Sequence, residues 1–434
     1  MKSTVRLAAG IGAAAILAAG CGSAPTTQSP GGAGPAGPAA KGSLVKGVAA
    51  REPAADPRPY GAADTAFGLS VLGAWCRQDP RANIVLSPAS LATGLGLAYL
   101  GARGSTAQAM ARVLHLPAAG PALEAGLHAR TAALRGLAQP GVTLADSDQL
   151  WADPSLTTSP GYLNAIATGY DAGLRRVPLL ANPAGSAAQI DAAIAAATRG
   201  HIPSLLTPGE LTNIGWVLTD ALYLKADWAT PFSASQTKPG TFTTAAGAQV
   251  SASFLHGNGF QSLSSGGWTA VSLPYRGGKL AMVALLPGSG SGACPAPSAA
   301  ALAAITSALA AGGGAGAGGG VAPADIALPK VNLRSQASLV PLLTRLGLGV
   351  AFGPAANFTG LSPQAGNIGL VGHAATLQVA EKGTTASAAT AVGLTPTAMQ
   401  APLNVIVFNR PYLLLVTDTA TGEPLFLARV ADPV

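Results

Sequence analysis

The chain has 434 residues, of which 49% are hydrophobic and only 10% charged. That apolar content excludes a wholly disordered protein. The formal charge of +7 is too dispersed for a nucleic-acid footprint, because Arg175-Arg176 is the one adjacent basic pair and no aromatics interleave with it.

Residues 1–21 read as a lipoprotein signal peptide. Lys2 and Arg6 form a positive start, and an uncharged apolar run from Leu7 to Ala19 follows. The run is too short to span a membrane comfortably. It ends in Leu17-Ala18-Ala19-Gly20-Cys21, which resembles a bacterial lipobox with Cys21 as the lipidated residue. Without Lys2 and Arg6 the charge falls to about +5. Residues 22–60, rich in Gly, Pro and Ala, read as a disordered tether. The expected location is the extracellular face of the cell membrane, lipid-anchored, with release as the alternative.

Residues 61–434 have the composition of a globular region. Length allows two or three domains, but no internal linker separates them, and the tract 311–320 reads as a surface loop. A helix is predicted over Thr65–Gln78. Ile84-Val85-Leu86 follows, and then Ser87 caps a helix with Pro88 at its first position, reaching about Gly101. A further helix runs from Ser105 to Leu114. Strands are predicted over Val142–Trp151, Ile214–Leu224, Trp268–Pro274, Leu280–Leu286, Asp325–Asn332, His373–Ala380, Leu403–Phe408, Tyr412–Asp418 and Leu425–Val430. Helices first and strands later argue for an α+β fold rather than a doubly wound one. Cys76 and Cys294 read as two separate buried thiols, although an oxidising compartment allows a disulfide.

Between the predicted strand at His373–Ala380 and the next one lies Glu381-Lys382-Gly383-Thr384-Thr385-Ala386-Ser387-Ala388-Ala389-Thr390-Ala391. These residues alone fit a flexible linker. They also fit a loop that can become a strand, since small side chains at every second place would enter a crowded sheet without a clash.

Catalytic signatures are absent. His115, His128, His201, His256 and His373 are widely spaced and form no metal-ligand pattern. There is no GxSxG elbow and no phosphate loop; Gly288-Ser289-Gly290-Ser291-Gly292 reads as a surface turn. The chain is expected not to be an enzyme, and no metal or cofactor is implied.

Several stretches in collinear order resemble the serpins, the serine-protease-inhibitor family. They are Asn83 to Ser90, Thr198-Arg199-Gly200-His201-Ile202, Thr219 to Phe232, Leu273-Pro274-Tyr275, Leu285-Leu286-Pro287, Leu328-Pro329-Lys330, Asn357 to Ser362, and Phe408-Asn409-Arg410-Pro411-Tyr412 with Thr421-Gly422 and Leu425-Phe426. The resemblance spans roughly residues 62–433. It implies a single α+β domain with three β-sheets, about nine helices and an exposed reactive loop. It also implies a suicide-substrate mechanism in a monomeric inhibitor. A target serine protease cleaves the loop and becomes bound as a covalent acyl complex, and the freed loop inserts into a β-sheet. The alternative is a non-inhibitory serpin acting as a binding or structural surface protein.

The resemblance assigns a loop hinge to Glu381, Gly383, Thr384, Ala386, Ala388 and Thr390. At period two, Thr384, Ala386, Ala388 and Thr390 would face inward, all of them small and uncharged. It places the scissile bond at Thr397-Ala398, or at Met399-Gln400 if the loop is longer. No Lys or Arg lies between Lys382 and Arg410, so an elastase-like or subtilisin-like protease is the expected target. A polar shutter beneath the sheet would comprise Ser87, Ser90, Asp220 and His373, and Trp228 would stand at the breach where insertion begins. Asp220 departs from the family's usual Asn. A carboxylate beside His373 would favour the charged imidazole, leaving two readings open: a pH-sensitive insertion step, or a hydrogen-bonded patch that only supports packing.

Overall fold

The computed structural model describes residues 43–146, 149–206, 209–312, 320–384 and 405–434. In chain order, strand β1 (Ser43–Val45) precedes helix α1 (Arg58–Gln78), β2 (Ile84–Leu86), α2 (Pro88–Gly101), α3 (Gly104–Leu114) and α4 (Pro121–Arg135). Then come β3 (Val142–Asp146), β4 (Gln149–Ala152), α5 (Pro160–Tyr170), β5 (Leu174–Arg176), α6 (Pro183–Ala197) and β6 (Trp216–Asp227). A run of strands follows: β7 (Lys238–Thr243), β8 (Gln249–Ser265), β9 (Trp268–Pro274) and β10 (Leu280–Pro287). After α7 (Ala299–Ala310) the chain forms β11 (Ala322–Pro329), β12 (Val331–Ser338), a broken helical stretch over 340–352, β13 (Val371–Ala380) and β14 (Gly383–Thr384). It closes with β15 (Val405–Val407), β16 (Tyr412–Asp418) and β17 (Pro424–Val430). The expected α+β class is the observed one.

Local chemistry explains several boundaries. Ser87 is extended and its hydroxyl accepts from the Ser90 amide at 3.2 Å, with Pro88 opening α2, because proline lacks a donor the first turn cannot use anyway. Asn182 and Ser298 cap α6 and α7 in the same way. The strand expected over Asp325–Asn332 is divided between β11 and β12, which belong to different sheets. Pro329 has no amide hydrogen to continue a ladder, and at the break the Lys330 amide donates to Ser253 O at 2.8 Å.

The first sheet runs β1-β5-β4-β6-β14-β13-β12, with β3 also on β6. The second runs β15-β11-β8-β9-β10-β16-β17-β2, with β7 on β8. Three sheets were expected; the described strands form two, because β8, 17 residues long, pairs with β7, β11 and β9 alike and joins them in one sheet. One face of the first sheet, including Leu222, Leu224, Ala375, Leu377 and Val379, packs onto the second sheet through Phe254, Leu273, Met282, Leu414 and Phe426. Helix α6 covers other residues, with Ile190 and Ile194 against Trp151, Val217 and Ala374.

Two expectations need correction. The tether was expected to reach residue 60, yet Ser43–Val45 pairs antiparallel with Leu174–Arg176 and adds a strand to the first sheet. The next residues lie along α5, where the Val48 amide donates to Asn164 Oδ1 and the Ala50 amide to Thr168 Oγ1, both at 2.8 Å. Gly47 approaches so closely that a Cβ there would lie 2.2 Å from the Leu163 carbonyl carbon. Helix α1 then begins at Arg58. Backbone pairing, not apolar content, holds this stretch. Second, Cys76 and Cys294 are not separate thiols but a disulfide with Cα atoms 5.8 Å apart. Their separation of 218 residues hid the pairing from the sequence.

A buried charge cluster joins α1, α4 and β17. Arg130 donates to Asp64 and Glu423 at 2.7 and 2.8 Å, and to Ala89 O and Thr93 Oγ1. All three charged side chains are at most 4% exposed. Burial pushes the Asp64 carboxyl well up; Arg130 opposes this and hydrogen bonding with Glu423 adds to it.

Candidate functional site

The site is built where β6, β13 and β14 meet. β6 and β13 pair in parallel over Leu218–Leu222 and Val371–Ala375. Further along, the two strands are no longer joined to each other in that register. Instead both pair with β14, Gly383 against Asp227 and Ala380, and Thr384 against Ala226 and Val379. The beginning of the stretch that read as either linker or strand is therefore a strand, lying between two others.

Gly383 is required there. Its φ is +156°, and a Cβ would lie 2.0 Å from Ala226 O. Thr384 is 1% exposed, and its hydroxyl meets the Tyr275 hydroxyl at 2.5 Å. The Tyr275 ring stacks on Trp228 with centroids 4.5 Å apart, a geometry that adds attraction beyond area burial. Burial raises the Tyr275 phenol, and its bond to Thr384 opposes that rise.

Trp228, 1% exposed, fixes the end of β13. Its indole Nε1 donates to Ala380 O at 2.8 Å and its amide to Lys382 O at 2.9 Å. The Phe232 amide reaches Glu381 O at 2.8 Å. The Glu381 carboxylate accepts from Lys330 Nζ at 2.9 Å and Thr237 Oγ1 at 3.0 Å. Burial tends to raise this carboxyl, but the Lys330 and Thr237 bonds outweigh it and hold Glu381 below the usual range.

The structure thus brings together Glu381, Gly383, Thr384 and Trp228. Ala386, Ala388 and Thr390 of the hinge, and both scissile-bond positions (Thr397-Ala398 and Met399-Gln400), lie outside the described residues, as do Cys21 and most of the 311–320 tract. Tyr275, Phe232, Thr237 and Lys330 had no role in the sequence reading. Three of them stand in stretches that carried the family resemblance, which was the signal available; Thr237 had none.

The expected shutter residues come from the start of α2 (Ser87, Ser90) and from β6 and β13 (Asp220, His373). Ser87, Ser90 and His373 are at most 2% exposed. His373 is the register partner of Asp220 on β6, so their backbones adjoin across the parallel pair. Helix α2, carrying Ser90, packs against β6, and β2 packs against β13. Nearby, the Val85 amide donates to Ser335 Oγ at 3.0 Å.

Among the described residues no group of three or more His, Cys, Asp or Glu is placed to hold a metal.

Comparison with known proteins agrees with this geometry. An uncharacterised serpin-like protein of Thermococcus kodakarensis is 31% identical over 81% of this chain and 81% of its own. The leukocyte elastase inhibitor of Bos taurus is 27% identical, covering 86% of this chain and 99% of its own. The native-state structure of the thermophilic serpin tengpin superposes with a TM-score of 0.75 at 21% identity, over 89% of this chain and 97% of that one. The family model described as Serpin (serine protease inhibitor) matches residues 62–433, so the chain belongs to the serpin family.

Proposed function

We propose that this protein is a suicide-substrate inhibitor of serine proteases that acts by loop cleavage and insertion. The observation that carries the reading is the seating of Gly383–Thr384 between β6 and β13 with the Thr384 side chain buried. Insertion then continues a strand already begun. The residues that would follow inward, Ala386, Ala388 and Thr390, carry no charge, so their burial leaves no unpaired ion. About a dozen residues inserted between two neighbours would gain backbone hydrogen bonds worth about 1 kcal/mol each net. Dragging a bound protease by about 1 Å from its productive geometry costs roughly a hundredfold in deacylation.

The partner is a target serine protease held as an acyl complex. The absence of Lys and Arg from Thr384 to Asn409 favours an elastase-like or subtilisin-like enzyme over one with an acidic specificity pocket. Cleavage at Thr397-Ala398, or at Met399-Gln400, would release a C-terminal peptide whose mass identifies the bond. Lipid anchoring through Cys21 on the outer face of the membrane is proposed from the lipobox resemblance, and the Cys76–Cys294 disulfide suits an oxidising compartment.

A second reading, a non-inhibitory binding protein, is favoured by one feature. A cavity of about 770 Å³ lies between α7 and the second sheet, lined in part by Phe260, Val283, Leu302 and Leu415. One gel separates the two. Residues 40–434 are mixed with elastase, subtilisin, chymotrypsin and trypsin. An SDS-stable complex with at least one of the first three is expected. Cleavage without complex, and without a gain in thermal stability, would reject inhibition and leave the binding role.

A further inference from the structure

Far along the chain from the hinge, a cavity of about 310 Å³ opens against the turn 288–292 that follows β10. Its walls include Thr244 after β7, Arg410 before β16 and Arg429 of β17, and no Asp or Glu lines it. Arg429 is 2% exposed, and the acceptors around it are neutral carbonyls: Ala82 O at 2.9 Å, Pro80 O at 2.8 Å and Ala293 O at 3.0 Å. Arg410 donates through one terminal nitrogen to Pro287 O at 2.7 Å, while its Nε is buried without an acceptor among the described residues. Thr244 is 6% exposed, and its hydroxyl is also buried without a partner there.

Two arginines and an orphaned hydroxyl therefore line one cavity with no carboxylate among its described walls, Asp79 acting on Arg429 from outside them. Burying cations without a counter-charge is expensive. Burial in fact draws Arg429 below the ordinary arginine range, with only Asp79 opposing. A water molecule satisfies a hydroxyl but brings no negative charge into the cavity. Guanidinium forks match the oxygens of phosphate and sulfate, and the Gly/Ser turn is exposed and uncharged, leaving the mouth accessible.

We propose that this cavity binds a small oxyanion of the phosphate or sulfate class, held by Arg410, Arg429 and Thr244. The bound anion would tie the start of β16 and the end of β17 to residues 80–82 and to Ala293, beside the Cys76–Cys294 disulfide. This role is independent of protease trapping, and its test does not use a protease.

Sodium phosphate, and separately sodium sulfate, is titrated into the protein at constant ionic strength maintained with chloride. Heat of binding and thermal midpoint are followed. One saturable site and a rising midpoint are expected with either oxyanion and not with chloride. Arg410→Gln should weaken binding by about tenfold or more, through loss of a charge-assisted bond. Thr244→Val removes the orphaned hydroxyl at nearly constant volume, so it should fold and still bind about three- to tenfold more weakly, the loss expected for one hydrogen bond. Ser289→Asp, placing a carboxylate on the exposed turn, should also reduce affinity. A non-saturating response equal to that of chloride, or parental affinity in Thr244→Val, overturns the proposal even if Arg410→Gln does not fold.

Discussion

Lys330 and Glu381 meet between the end of β13 and the start of β14, Nζ to Oε1 2.9 Å. β12 follows directly on Lys330 and pairs with β13, so the ion pair clamps the base of the hinge to the adjoining sheet edge. With side chains 39% and 20% exposed, solvent screening limits its worth to about 0.5–1 kcal/mol. Because the folded state holds Glu381 below its usual range, its contribution is present above the ordinary glutamate value of about 4.3 and is lost as pH falls through the depressed one. Glu381→Gln should lower the thermal midpoint at pH 7 and shrink the loss on acidification. Identical acid profiles for variant and parent would count against the clamp.

Thr384 and Tyr275 provide a sharper probe of insertion. Thr384→Arg would bury a charge beside the Tyr275–Trp228 stack at a cost of several kcal/mol. The expected outcome is a protein that target protease cleaves without an SDS-stable complex. Persistent complex formation would refute the role given to Thr384. Tyr275→Phe should be milder, about 1–3 kcal/mol, because it leaves the Thr384 hydroxyl buried without its bond.

Gly383→Ala tests the close approach to β6. With a Cβ 2.0 Å from Ala226 O, β14 cannot seat, so amide exchange at Ala226, the register partner of Thr384, should accelerate, while Asp227, whose amide donates to Gly141 O, serves as the internal control. A larger share of protein should also be cleaved as substrate rather than retained in complex. Unchanged exchange at the Ala226 amide would show that the approach is not needed.

The Asp64–Arg130–Glu423 cluster predicts a pH dependence of opposite sense. Asp64 holds its proton in the folded state at pH values where unfolded aspartate, near 3.9, has lost it. The folded state then binds more protons, so this contribution is fully present below about pH 3.9 and is lost as pH rises through the raised value. Asp64→Asn keeps hydrogen-bonding capacity towards Arg130 and Glu423 and should flatten that slope in urea midpoints measured from pH 4 to 8. An unaltered slope would assign it elsewhere. Arg130→Met, which leaves two buried carboxyls without their cation, should cost about 3–5 kcal/mol.

Closing a loop of 218 residues, the Cys76–Cys294 bond should contribute about 2–4 kcal/mol. A Cys76→Ala/Cys294→Ala variant, or reduced parent, should show a denaturation midpoint lowered accordingly. Equal midpoints with and without reductant would show the bond to be dispensable.

Much of the fold was legible because local periodicity carries it. The apolar runs of β10, β13, β16 and β17 and the Ser87-Pro88 cap are each short-range patterns. β8 was not legible. Its polar and glycine-containing stretch, Gln249 to Ser265, lacks clean alternation, since successive parts of it pair with β7, β11 and β9. β1 was missed for a related reason: Ser43–Val45 has little to bury, and the β5 edge is what makes it a strand.

What the sequence by itself determined was the character of the reactive stretch and its setting: small uncharged residues from Thr384 to Ala391, following an apolar strand within a collinear series of serpin landmarks. Those side chains carry neither bulk nor charge, which is the property the proposed insertion requires. The tertiary structure alone decided which groups hold its base. Trp228 reaches Ala380, Tyr275 meets Thr384 and Lys330 pairs with Glu381 across separations of 152, 109 and 51 residues. Contacts that distant leave no periodic trace in the chain and exist only once two sheets have packed and brought their edges together.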